Sequence, residues 1–215
     1  MRVVIAGGHG QIALIVERLL TEAGHEAVGI VRSADQTADL AAVGAETLVL
    51  DLEHVDLEAL AAALAGAEAV VFAAGGGPSS GAARKLTVDR DAAVLLADAA
   101  ARAGIRRYVM ISAISADSFD PESDEVFQVY LRAKSEADAA VRSRDLDWTV
   151  IRPGGLTDDP PTGRVQVAET VGSGSIPRAD VAAVVVEVLL SGAAVRAQFE
   201  LVSGDVEIRP ALAGL

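Results

Sequence analysis

Tyr130 and Lys134 stand four residues apart in the run Tyr-Leu-Arg-Ala-Lys. On a helix that spacing is one turn, so a phenol and an ammonium point the same way. A neighbouring cation favours the ionised phenol and lowers its pKa, which lets the pair exchange a proton with a developing alkoxide near neutral pH. The bland alternative is a packed aromatic beside an exposed lysine. Composition tilts the choice toward chemistry: of 18 basic residues only Lys85 and Lys134 are lysines, and the other 16 are arginines. An ordinary surface cation of this chain would be an arginine, whose planar guanidinium does not replace a compact ammonium at a tuned site. Upstream, Val109-Met110-Ile111-Ser112-Ala113-Ile114-Ser115 closes an apolar run with two hydroxyls. Either Ser112 or Ser115 can hydrogen-bond a carbonyl, and either can equally close a turn.

The second constellation is Ala6-Gly7-Gly8-His9-Gly10-Gln11-Ile12-Ala13, directly after apolar Val3-Val4-Ile5. A tight turn needs a residue without Cβ, the backbone must approach a pyrophosphate closely, and the helix must pack close to the strand. Gly7, Gly10 and small Ala13 suit those three tasks. The helix N-terminus adds unpaired N–H groups and a partial positive charge for the phosphates. Placement at the start of the chain, between a strand pattern and a helix pattern, makes a bare geometric turn the weaker reading. In a dinucleotide site of this kind Lys134 can also hold the nicotinamide ribose.

An NAD site usually carries Asp or Glu at the end of the second strand, for the ribose hydroxyls. Here Ile30-Val31-Arg32-Ser33 stands there. Arg32 suits a 2′-phosphate as its bidentate partner and Ser33 as a neutral donor, so NADP is the expected nucleotide. Asp35 can still reach a ribose, which leaves NAD open, and a solvated arginine is the plain alternative. Asp51, after the third strand, is a candidate for the adenine amino group, or a turn residue or helix cap.

These residues need an α/β frame. Val3 to Ala6 is a short apolar run suited to a strand buried on both faces. Ile12, Ile15, Val16, Leu19 and Leu20 then repeat with helical period up to Gly24. The alternation continues with strands at Ala27 to Val31, Thr47 to Leu50, Ala69 to Ala73, Tyr108 to Ile111, Trp148 to Ile151 and Phe199 to Val202. Helices are expected near 36–43, 57–65, 86–103, 126–143 and 181–190. Such alternation implies a parallel sheet. Two stretches break it: Gly-Gly-Gly-Pro-Ser-Ser-Gly at 75–81, and 153–177, which holds four of the seven prolines and five glycines. Both follow expected strands and so fall at the carboxyl edge, where open α/β folds bind ligands.

Composition narrows the classes. A net charge of −13, from 18 basic and 31 acidic residues, is the wrong sign for a nucleic-acid or membrane partner. The absence of cysteine excludes a disulfide framework, a thiolate nucleophile and a Cys-based zinc site. His9, His25 and His54 are scattered, so no metal is expected. No apolar run approaches a membrane span and no leader pattern is present, which makes a cytoplasmic protein the expectation. With 215 residues the chain should form one domain, 1–215, with a small substrate-side region around 153–177.

Together the glycine loop, Val88-Asp89-Arg90-Asp91-Ala92-Ala93, the Ser112 strand, Tyr130 to Lys134 and Ile151-Arg152-Pro153-Gly154-Gly155-Leu156 resemble the atypical short-chain dehydrogenase/reductases. Within them the chain is similar to the single-domain NAD(P)H-binding branch that includes NmrA-like and biliverdin or flavin reductase-like proteins. The resemblance spans essentially the whole chain. It implies a Rossmann-type doubly wound parallel sheet in three layers, strand order 3-2-1-4-5-6-7. By that likeness Gly7, Gly10, Gln11 and Ile12 would meet the pyrophosphate, Arg32 and Ser33 the adenosine phosphate, and Asp51 and Leu52 the adenine. Ala73, Ala74 and Gly75 would line the ribose, and Pro153, Gly155 and Leu156 would pack near the nicotinamide. Ser112, Tyr130 and Lys134 would form the active-site group, and Asp180 would cap the helix that follows it. The chain departs from relatives that place a second serine after the first, since Ala113 stands there.

The implied activity is NAD(P)(H)-dependent hydride transfer to a small carbonyl, quinone or flavin-like acceptor. Two alternatives stay open: an NAD(P)-sensing binding protein, and an enzyme related to nucleotide-sugar epimerases and dehydratases.

Overall fold

In a computed structural model, which describes every residue except Pro78, strands and helices alternate as the pattern requires. Seven parallel strands form most of one sheet: β1 (Arg2–Ala6), β2 (Glu26–Val31), β3 (Glu46–Val49), β4 (Ala69–Phe72), β5 (Arg107–Ile111), β6 (Asp147–Pro153) and β10 (Ala197–Ser203). Their order is β3-β2-β1-β4-β5-β6-β10. That is the expected 3-2-1-4-5-6-7 arrangement, with the chain reversing direction across the sheet between β1 and β4. Val3 pairs with Ala27 on one side and Ala69 on the other, so β1 is central and hydrogen-bonded on both edges.

Successive strand residues point to opposite faces, and the core divides accordingly. Val3, Ile5, Val71, Val109 and Ile151 pack on one face with α1 (Gln11–Glu22) and α7 (Arg178–Ser191). Val4, Ala6, Val70, Phe72, Tyr108 and Met110 pack on the other with α3 (Leu57–Ala63), α5 (Ala93–Arg102) and α6 (Val126–Arg142). Ala93, Ala97, Ala99 and Ala100 are fully buried on α5, which brings that helix close to the sheet. Burying each large aliphatic or aromatic side chain contributes roughly 1.5–3 kcal/mol. The result is three layers with both sheet faces covered.

Three departures matter for the site. The segment 153–177, expected to be irregular, contains β7 (Gly155–Thr157), β8 (Arg164–Ala168) and β9 (Ser175–Pro177). β7 and β9 pair with each other, and β8 joins the main sheet antiparallel to β10, followed by β11 (Val206–Glu207). Pro153 and Pro177 sit at strand ends, where a missing N–H disrupts no internal ladder bond. Asp180 does not cap α7 either. It lies within the first turn, and its carboxylate accepts the Thr162 N–H at 2.9 Å, the Thr162 hydroxyl at 3.0 Å and the Gly163 N–H at 2.8 Å. This ties the chain ahead of β8 to the helix.

The helix expected at 86–103 begins earlier, with α4 (Ala82–Arg84), and then winds more widely over Lys85–Ala92 before α5. Such π-wound turns interrupt the regular ladder and are frequent at functional sites. Here they bury Lys85, Val88, Asp89 and Ala92. The glycine-rich stretch 75–81 forms no strand or helix among its described residues; Pro78 lies outside them.

Candidate cofactor and active site

The glycine loop is shaped by close backbone approaches. Gly7 has φ +82°, and a Cβ there would stand 2.6 Å from the Ala74 Cα, so both conformation and space exclude a side chain. The Gly7 and Gly8 amides donate to the Ile30 carbonyl at 3.2 and 2.9 Å, and the Gly10 amide to the Gly7 carbonyl at 2.8 Å. Gly10 then begins α1 without a side-chain cap. Among the described residues no protein acceptor meets the amides of Gln11, Ile12 and Ala13. This donor set at a helix N-terminus fits a pyrophosphate.

A cavity of about 310 Å³ opens beside this loop. Gly7, Gly10, Arg32, Asp51, Leu52, Ala73, Ala74 and Gly75 line it. Arg32 is exposed there and makes no ion pair among the described residues. Asp51 accepts the Glu53 N–H at 3.0 Å and contacts His54 Nδ1 at 2.9 Å. The Glu53 N–H, with His54 and Arg32, holds the Asp51 carboxyl below the usual range against the opposing effect of burial. Ser33 is not on the wall: its hydroxyl accepts the Asp35 N–H at 3.3 Å and starts the short turn Ala34–Gln36. Gln11 and Gly155 also lie off both cavity walls. Sequence reading gave no role to His9, which stands within the glycine loop, and missed Gln36, Glu53 and Arg84 on this wall, for want of any local pattern that brings them together.

A second cavity, about 600 Å³, shares the wall Ala73, Ala74 and Gly75 with the first. Tyr130, Lys134, Ser112, Ile12, Pro153 and Leu156 line it, so the carboxyl edges of β1, β4, β5 and β6 and the face of α6 converge. Lys134 is 4% exposed, and its ammonium donates to the Ile111 carbonyl at 3.3 Å. It also pairs with the Asp89 carboxylate at 3.3 Å and stands 5.9 Å from the Tyr130 ring centroid. Burial alone would lower the Lys134 pKa, but Tyr130, Asp89 and Asp138 together raise it. Asp89, which the sequence reading placed in a motif but gave no role, also accepts the Gly76 N–H at 3.0 Å and so anchors the glycine-rich stretch.

Tyr130 departs from the simple expectation. Burial pushes its phenol pKa up, and the opposing charge of Lys134 does not cancel that effect. Spacing placed the two side chains together; exclusion of water reversed the sign of the shift.

Ser112 is also differently engaged. Its hydroxyl donates to the Asp138 carboxylate at 2.8 Å, and the same carboxylate oxygen accepts Arg152 Nε at 2.8 Å. Arg152 in turn forks onto Asp117 at 2.7 and 3.0 Å. Tyr130, Lys134 and Asp138 follow one another at intervals of four along α6, so the helix face that carries the first pair also carries the serine's acceptor. Ser115 is exposed, has φ +57°, and gives its N–H to Glu200 at 3.0 Å. It lines neither cavity, which leaves Ser112 as the serine of this site.

A family model described as NAD(P)H-binding matches residues 7–191. The chain belongs to the NAD(P)H-binding family. This NAD(P)H-binding chain is 38% identical to the uncharacterised sugar epimerase YhfK of Bacillus subtilis over 99% of each chain. A Bacillus halodurans structure provisionally named an NAD-dependent epimerase/dehydratase superposes with TM-score 0.91 and 33% identity, covering 100% of both chains. The oxidoreductase ylbE of Lactococcus lactis superposes with TM-score 0.86 and 25% identity, covering 100% of this chain and 96% of that one. These likenesses agree with the atypical dehydrogenase/reductase branch suggested by the motifs. No helix of the NAD(P)H-binding chain is long and apolar enough to cross a membrane among the described residues.

Proposed function

We propose that the chain is an NADP(H)-dependent oxidoreductase that passes hydride to a small carbonyl, quinone or flavin-like acceptor. The observation that carries this reading is the junction of two cavities along Ala73 to Gly75, one beside the glycine loop and Arg32, the other beside Tyr130 and Lys134. A dinucleotide laid across that junction would have its phosphates at the loop and its reactive ring at the tyrosine. The amides of Gln11 and Ile12 would hold the pyrophosphate, and exposed Arg32 would take a 2′-phosphate. NADPH, when bound, supplies the hydride.

The chain's own residues supply the rest. Lys134 presents a buried ammonium to ribose hydroxyls while Asp89 and the Ile111 carbonyl fix its position. Tyr130 is a neutral phenol at neutral pH, as an unperturbed tyrosine is, and burial shifts its pKa further in that direction; this is the form required of a proton donor to the acceptor oxygen. Ser112 has committed its proton to Asp138, so its oxygen can accept a hydrogen bond but has no proton to give the acceptor carbonyl. Phe127, Val126 and Leu156 give the cavity an apolar rim.

The test is a titration with NADPH and NADH, followed by nicotinamide absorbance with quinones, flavins and small carbonyls. Acceptor-dependent NADPH consumption is expected, and tight binding without consumption on any acceptor would instead favour a nucleotide sensor. The names of two relatives motivate a second reading, an epimerase or dehydratase. Such a reaction returns its nucleotide unchanged, so net consumption of NADPH separates the two.

A further inference from the structure

Both lysines of the chain reach the second cavity. Lys85, on the π-wound turn, is 6% exposed and donates to the Gly77 carbonyl at 2.6 Å. Its ammonium lies 5.2 Å from the Tyr130 ring centroid, closer than that of Lys134 at 5.9 Å. An ammonium carries three donors, and Gly77 occupies one. No carboxylate forms an ion pair with Lys85 among the described residues, whereas the Asp89 carboxylate is matched by Lys134 and the Gly76 amide. Lys85, Lys134 and Asp89 are the charged residues on this wall. Two cations against one anion leave the cavity net positive by one, in a chain whose net charge is −13. Lys85 carries the unmatched charge.

The rest of the wall is apolar where it meets solvent. Phe127, Val126 and Leu156 are 63%, 42% and 38% exposed at the cavity mouth. Large apolar side chains held open around a cavity gain most from an apolar ligand that covers them. An unmatched buried ammonium gains most from an anion, because its interaction is strengthened where water is excluded.

We propose that Lys85 is a specificity-determining residue that selects an apolar acceptor bearing a carboxylate. This rests on the reading of the second cavity as the acceptor site. Lys85 binds the carboxylate, and the apolar body of the acceptor covers Phe127 and Leu156. The cation–π contact with Tyr130 keeps the ammonium oriented while the ligand is absent.

The experiment uses two nearly isosteric quinones, anionic anthraquinone-2-carboxylate and neutral anthraquinone-2-carboxamide. Equilibrium binding of each is measured on wild type, Lys85→Met and Lys85→Gln in the presence of saturating NADP⁺, with NADPH binding measured alongside. Wild type is expected to bind the carboxylate at least tenfold more tightly than the carboxamide. Both variants should lose that preference through weaker carboxylate binding, with carboxamide and NADPH affinities kept. Lys85→Gln retains a donor for the Gly77 carbonyl, so it separates the charge from the hydrogen bond and stands in if Lys85→Met does not fold. Wild type that binds neither quinone, or both equally, overturns the proposal. So does a preference that survives in either folded variant, or a tenfold loss of NADPH affinity, which would assign Lys85 to the nucleotide. Because the readout is binding, a protein that shows the preference but consumes no NADPH would refute the reductase reading and leave the role of Lys85 intact.

Discussion

Asp89 and Lys134 form an ion pair, Oδ1 to Nζ 3.3 Å, in which the side chains are 2% and 4% exposed. The two residues come from the π-wound turn and from α6, so the pair joins the elements on either side of the second cavity. Removing one partner of a buried pair leaves the other charge unmatched, which costs about 3–5 kcal/mol. Asp89→Ala is expected to lower the urea unfolding midpoint accordingly. Asp89→Asn, which keeps an acceptor for the Gly76 amide, should lose less. Equal midpoints for wild type and Asp89→Ala would show that the pair contributes nothing to stability.

Tyr130 and Ser112 are expected to separate in mutational effect. A positioned general acid contributes about 10²–10⁴-fold to rate, so Tyr130→Phe should lower kcat on the best acceptor by at least about a hundredfold with NADPH affinity kept. Ser112→Ala removes a hydroxyl whose proton is already given to Asp138, and should lower kcat less than about tenfold. Steady-state kinetics on both variants give the comparison. Unchanged turnover in Tyr130→Phe would remove the tyrosine from the chemistry.

Arg32 stands at the rim of the first cavity without an ion-pair partner among the described residues. Hydrogen bonds to a charged group contribute about 1.5–3 kcal/mol, roughly a ten- to hundredfold change in affinity. Arg32→Gln should therefore weaken NADPH by that factor and leave NADH unchanged, as read by nicotinamide fluorescence. Equal losses for both nucleotides would detach Arg32 from the 2′-phosphate.

Beneath the glycine loop, Glu17 is fully buried and neither of its carboxylate oxygens has a hydrogen-bond partner among the described residues. It lies where Gly8 and Gly29 approach each other, and a Cβ on Gly8 would come within 2.8 Å of Glu17 Oε1. Burial pushes its pKa up from 4.5 to about 8. The folded protein therefore keeps a proton that the unfolded chain releases, and stability falls as pH rises between those values, by about 1.4 kcal/mol per unit. Glu17→Gln keeps the shape and removes the titration. Its urea midpoint should exceed that of wild type at pH 8, with the advantage shrinking toward pH 4.5. A difference independent of pH would place the effect in packing alone.

Much of this protein was legible before its tertiary structure. Local periodicities fixed the alternation of strands and helices, because a buried strand and an amphipathic helix each need their own apolar repeat. The glycine loop was legible because Gly7 serves a positive φ and a close approach that other residues oppose. The convergence of Tyr130 and Lys134 followed from one helical turn. The extra strands in 153–177 were hidden because the short alternation Arg164-Val165-Gln166-Val167 lies among four prolines and five glycines, and β8 is held by its distant partner β10, with Glu200 opposite Ala168.

What only the tertiary structure decided is the state of these residues. Lys85 and Asp89 meet Tyr130 and Lys134 across more than forty positions of sequence, through a widened turn that no residue pattern announces. Asp138 claims the Ser112 proton from another element, and exclusion of water raises the Tyr130 pKa that a neighbouring lysine alone would lower. Spacing determines which side chains share a face. Burial and distant partners determine their charge, their protons and their chemistry, since both depend on contacts that exist only once the chain has folded.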